Sequence, residues 1–93
     1  MKSVSKKIHG IVRSDGEILA VSTESKRVED ILEQHEDRKF SALFSCSFEN
    51  GSFNTYFHGI PSLCVSNARV IREKLDRVVC GDMTLEDAGV NVV

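Results

Sequence analysis

The sequence predicts an α+β fold: a two-layer sandwich whose four-stranded, mainly antiparallel sheet carries two helices on one face. Three observations carry this expectation. Every aromatic residue falls between Phe40 and Phe57, in a stretch that alternates about Asn50-Gly51 as a β-hairpin does. An earlier stretch repeats the design about Asp15-Gly16. Each hairpin is followed by apolar residues at helical spacing, so the elements run ββαββα.

The first two strands are expected over residues 7–13 and 18–24, joined by Ser14-Asp15-Gly16-Glu17. Strict alternation puts Val12, Leu19 and Val21 on one side and Ile11, Ile18 and Ala20 on the other. A strand pair with apolar groups on both faces must be covered on both, and a partner subunit is one such cover.

Helix one is expected over 26–37, with Ser25 as its N-cap and Val28, Ile31, Leu32 and His35 as its apolar stripe. His35 stands at the stripe's edge and reads as a boundary residue satisfied by a backbone group. Glu29, Asp30, Glu33, Glu36 and Asp37 occupy the other faces, and Arg38 and Lys39 close the helix.

In the aromatic hairpin, pairing across Asn50-Gly51 sets Phe48 opposite Phe53, Cys46 opposite Thr55 and Phe44 opposite Phe57, all on one face. Leu43, Ser45, Ser47, Asn54, Tyr56 and His58 share the other. The phenylalanine face is expected to meet the helices, leaving the Tyr56 face free. After Gly59-Ile60-Pro61, helix two starts at 62 or 66 and runs to 80. Its stripe is Cys64, Ala68, Ile71, Leu75 and Val78, widened by Val79, and Gly81 ends it. Thr84 and Gly89 cap and stop one further turn.

Ninety-three residues make one domain, 1–93, near the small end where a single core suffices. Residues 1–6 and 90–93 read as flexible ends, although Val90-Asn91-Val92-Val93 is apolar enough to dock as an edge strand or on a partner. A net charge of −2 argues against a general nucleic-acid binder. Lys2, Lys6 and Lys7 precede an apolar run too short for a signal peptide, and no stretch has the apolar length of a membrane span. The expected location is cytoplasmic, with no membrane partner. Three widely spaced cysteines give neither a disulfide scaffold nor a compact zinc site; Cys46 and Cys64 read as small buried hydrophobes.

Candidate chemistry is sparse. Cys46 and His58 fall on opposite faces of their hairpin, so they fail as a nucleophile and base. No Gly-x-Ser-x-Gly elbow is present. No His-x-x-x-His or Cys-x-x-Cys pair presents two metal ligands on one element. The reading is therefore no enzyme, no cofactor and no metal. The polar sheet face offers a recognition surface of Asn54, Tyr56 and His58 with Leu43 and Ser45, joined by His9, Arg13 or Ser22. Glu29, Glu33 and Glu36 of helix one form an acidic strip suited to a basic surface. Both features also occur as ordinary solvated faces.

The run His9-Gly10-Ile11-Val12-Arg13-Ser14-Asp15-Gly16 resembles the LAGLIDADG signature of homing endonucleases at Gly10, Asp15 and Gly16, with Ile11-Val12 in register. The resemblance implies metal coordination by Asp15. It covers eight residues, puts Arg13 where the family has its earlier Asp, and falls on a strand where the family has a helix. No membership is claimed.

The functional expectation is a small non-enzymatic protein-binding module, an inhibitor, adaptor or antitoxin-like regulator, acting on another protein or on itself as a homodimer. Its candidate partner-binding residues are Tyr56, His58, Asn54, Arg13, Glu29, Glu33 and Glu36. The alternative is a nucleic-acid-binding protein using the exposed sheet face and the helix-two arginines.

Overall fold

The computed structural model describes residues 7–58 and 67–93. Strands β1 (Ile8–Arg13) and β2 (Ile18–Ser22) lead into helix α1 (Ser25–Gln34). A 3₁₀ turn (Arg38–Phe40), strands β3 (Ser41–Glu49) and β4 (Ser52–His58), and helix α2 (Ala68–Cys80) follow. The strands form one antiparallel sheet in the order β2-β1-β3-β4. The fold is α+β, with the expected ββαββα order.

The aromatic hairpin has the expected register. Phe44 pairs with Phe57, Cys46 with Thr55 and Phe48 with Phe53. Asn50 and Gly51 both have positive φ, as a two-residue turn of this type requires. Phe44 and Cys46 are buried with Ile8, Val12 and Val21 beneath Ile71, Leu75, Val78 and Val79 of α2. Phe48, Phe53 and Phe57 pack at the margin of this core. Each fully buried large apolar side chain contributes about 1.5–3 kcal/mol.

The placement of α1 departs from the expected layering. Val28, Ile31 and Leu32 pack with Ile11, Ala20, Leu19 and Leu43, which point to the sheet face opposite α2. The helices therefore lie on opposite faces, not on one. The reason is the first hairpin, which is apolar on both sides and so needs two covers. The chain supplies both covers itself, so no partner subunit is needed to bury these groups.

One register detail also differs. Ile11 pairs with Ala20 and Val12 with Ile18, so Leu19 is an extra residue on β2. This bulge exchanges the expected sides of its neighbours: Ile18 joins the α2 core and Leu19 the α1 core. The loop before it spans residues 14–16, with the Arg13 N–H bonded to the Glu17 carbonyl (2.8 Å) and Gly16 at φ 97°.

Helix α1 is shorter than its pattern suggests. Ser25 lies inside its first turn; Glu24 holds the N-cap position without a side-chain bond. At the other end His35 turns extended, and its Nδ1 accepts the Asp37 N–H at 3.0 Å. His35 is thus satisfied by a backbone group, as expected, and by that bond ends the helix early. Arg38 and Lys39 fall in the 3₁₀ turn instead of closing α1.

Helix α2 ends as expected on Gly81 in the left-handed conformation (φ 94°). Its predicted first turn and Cys64 lie outside the described residues. Thr84 Oγ1 accepts the Asp87 N–H (3.1 Å), capping the extra turn, and Gly89 ends it with φ 76°. The tail then docks beside β2: the Val21 N–H bonds to the Asn91 carbonyl (2.8 Å), and the Val93 N–H to the Val21 carbonyl (2.9 Å). Among the described residues, no helix is long and apolar enough to cross a membrane.

Candidate functional site

Helix α1 covers β1, β2 and part of β3, but not β4. This leaves a groove between α1 and β4 on the face that bears Tyr56. One part of the groove is a cleft of about 290 Å³ lined by Lys7, His9, Glu29, Ser45 and His58. A second part, about 440 Å³, shares Glu29 and His58 and adds Glu33 and Arg38.

Strand register builds the cleft. Ser45 on β3 pairs with His9 on β1 and with Tyr56 on β4, and lies diagonal to His58, which pairs with Leu43 two residues away. Odd-numbered residues of β1 and β3 and even-numbered residues of β4 share this face. Three adjacent strands thus bring His9, Ser45 and His58 into a row. The buried Ser45 Oγ lies 2.8 Å from His9 Nδ1 and 3.2 Å from His58 Nε2. Partial burial, then the positive charges of Lys7 and His58, hold the His9 imidazole below its ordinary 6.5, with Glu29 opposing. Ser47, next on the same face of β3, is buried, and its hydroxyl has no hydrogen-bond partner among the described residues.

The structure brings together three of the candidate residues: His58, Glu29 and Glu33. Tyr56 lies on the same face of β4 and is 53% exposed. Asn54 precedes it on the same face and donates locally to the Ser52 carbonyl (3.2 Å). Glu36 is exposed beyond the end of α1. Arg13 is spent on structure: its guanidinium bonds Asp15 (2.8 Å), Glu17 (2.6 Å) and Asp37 (3.1 Å). That arrangement ties the first turn to the segment after α1, and the Arg13 hydrogen bonds draw the Asp15 carboxyl below its ordinary range. Asp15, the residue singled out by the endonuclease resemblance, is therefore an ion-pair partner in a hairpin turn.

The sequence reading missed Lys7 as a site residue. Nothing in its local pattern marks it; it enters because β1 is central and α1 crosses above. Cys46 and His58 lie on opposite faces, as expected. No group of three or more metal-ligating side chains occurs among the described residues. Arg69, Arg72 and Arg77 line a separate surface of α2 with Glu73 and Asp76. They lie on the far side of the sheet from Tyr56, so the two halves of the nucleic-acid alternative do not share one face. Comparisons with protein-family models, curated proteins and solved structures find no match.

Proposed function

We propose that this protein is a non-enzymatic binding module that takes a protein strand along β4, with a second copy of itself as the partner. The contrast between the two sheet edges carries the reading. The β2 edge is covered by the C-terminal tail. Among the described residues, no strand pairs with the outer edge of β4.

Exposed edges are normally protected by charge, proline or a bulge. Strand β4 reads Ser52-Phe53-Asn54-Thr55-Tyr56-Phe57-His58, with no Lys, Arg, Asp, Glu or Pro, and it pairs with β3 without a register shift. Its pattern suits itself. Antiparallel pairing about Thr55 sets Asn54 against the second copy's Tyr56, and Phe53 against its Phe57. Strand addition gives affinity through main-chain bonds and specificity through alternate side chains. Contacts of this class are compatible with an inhibitor, adaptor or antitoxin-like regulator.

Size-exclusion chromatography with light scattering at micromolar protein tests the proposal. The expected result is a dimer that Tyr56→Lys converts to a folded monomer, since Tyr56 is exposed. A wild-type chain that stays monomeric across that range overturns it.

A further inference from the structure

We infer that the cleft between α1 and β4 is a binding site for a phosphate group, built on the His9–Ser45–His58 row. The inference does not rest on strand pairing at β4.

A hydroxyl has one proton to donate. With both rings neutral, Ser45 donates to one imidazole and accepts from the other. The remaining ring nitrogens, His9 Nε2 and His58 Nδ1, have no hydrogen-bond partner among the described residues. In the neutral pair, one of these two nitrogens carries a proton and the other is bare. Adding a single proton fills the bare one: one ring donates to Ser45, Ser45 donates to the other, and both free nitrogens are then donors. One captured proton therefore takes the row from one outward N–H donor to two and adds one positive charge, without losing either bond to Ser45.

Lys7 adds an ammonium that forms no ion pair among the described residues, and it lines the same cleft. Three donors from separate positions suit the several oxygens of a tetrahedral dianion better than a planar carboxylate. Burial is the first cause of the depressed basicity of His9; Lys7 and then His58 add like charge, and that smaller part is what an anion would relieve. The other charged groups facing the row are Glu29, and, further along the groove beside His58, Glu33 and Arg38. Glu29 is the only carboxylate among the described residues lining the cleft itself, and it opposes an anion. The cleft, about 290 Å³, also leaves room for the group that carries the phosphate.

The test is a titration of the full chain with inorganic phosphate, sulfate and acetate, read on the histidine ring resonances by NMR. Sulfate keeps its charge across the window, so its pH dependence reports the protein alone. Phosphate and sulfate are expected to shift His9 and His58 saturably, and acetate is not. Sulfate affinity rises by up to about tenfold per pH unit as one proton is taken up, over the range above the histidine pKa. Lys7→Gln weakens sulfate binding about two- to fivefold, and Glu29→Gln strengthens it by a similar factor. Both side chains are exposed, so neither change threatens folding. Ser45→Ala leaves both histidines in place but abolishes the coupled shift of the two rings. Absence of any shift with phosphate and sulfate overturns the inference. So does an equal response to acetate, or a Lys7→Gln variant that binds sulfate as wild type does.

Discussion

The ring of Phe44 lies against the bare α-carbon of Gly10 on the neighbouring strand. A β-carbon built on Gly10 would come within 2.4 Å of Phe44 Cζ and 2.9 Å of the Ala20 carbonyl oxygen. Glycine here makes room for the largest fully buried side chain of the core. Gly10→Ala is expected to cost about 1–3 kcal/mol, because the ring must leave its rotamer or the strands must part. Thermal unfolding checks this, at about 4–8 °C of Tm per kcal/mol for a domain of this size.

The two faces of the aromatic hairpin make opposite demands on stability. Phe44→Ala removes a fully buried ring and is expected to cost about 3–5 kcal/mol, a large part of a small domain's stability. Tyr56→Ala, on the open face, is expected to stay within about 0.5 kcal/mol. Urea denaturation of the two variants at protein concentrations low enough to avoid association separates them. Equal losses would show that the faces are assigned wrongly.

Arg13 links pH to stability through Asp15. Its hydrogen bonds to the carboxylate, then the Glu17 N–H, hold the folded-state pKa of Asp15 below the ordinary 3.8, so the folded chain binds the Asp15 proton less readily than the unfolded chain. The stabilisation is complete above that ordinary value and is lost as pH falls through the depressed folded value. Arg13→Gln is expected to lower stability at neutral pH and flatten this acid limb, as followed by circular dichroism melts across the acid range.

The histidine row makes a signed prediction for proton binding. His9 is expected to titrate below 6.5, mainly because of its burial. Protonation then favours the unfolded chain, so the His9 contribution to stability is present above 6.5 and lost as pH falls through the lower folded value. Lys7→Gln raises the His9 pKa and Glu29→Gln lowers it further, as NMR titration in anion-free buffer would read. A change in the reverse direction for either variant would refute the assigned surroundings.

Cysteine reactivity reports the core. Burial pushes the Cys46 thiol up to about 12, whereas Cys80 is exposed at the end of α2. Desolvation and then Asp76 and Asp82 also raise Cys80, so its alkylation is slow at neutral pH and quickens as pH rises. Peptide mapping after iodoacetamide treatment is expected to find Cys80 modified in the native chain and Cys46 modified only after denaturant is added.

Much of the candidate site follows from register alone. The turn at Asn50-Gly51 sets which side chains of β3 and β4 share a face, and that parity predicts Ser45 and His58 together. The pairing of β1 with β3 has no comparable local signal, because the two strands are joined across α1. His9 therefore stood among the polar-face residues only as an optional neighbour, and Lys7 did not stand there at all. The Leu19 bulge was equally hidden: alternation counts residues, whereas a bulge is an exception to the count.

Local chemistry was enough to specify the hairpins, the helical stripes, the Gly81 stop and the order of elements, since each depends on neighbours within a few positions. Which face of the sheet α1 occupies depended on burial. Ile11, Ala20 and Leu43 on one side, and Ile8, Val12 and Phe44 on the other, all had to leave water, and two helices on a single face would have left the first set exposed. Folding resolved that competition by dividing the helices between the faces, and the groove beside His58 is the part of its face that α1 borders but does not cover.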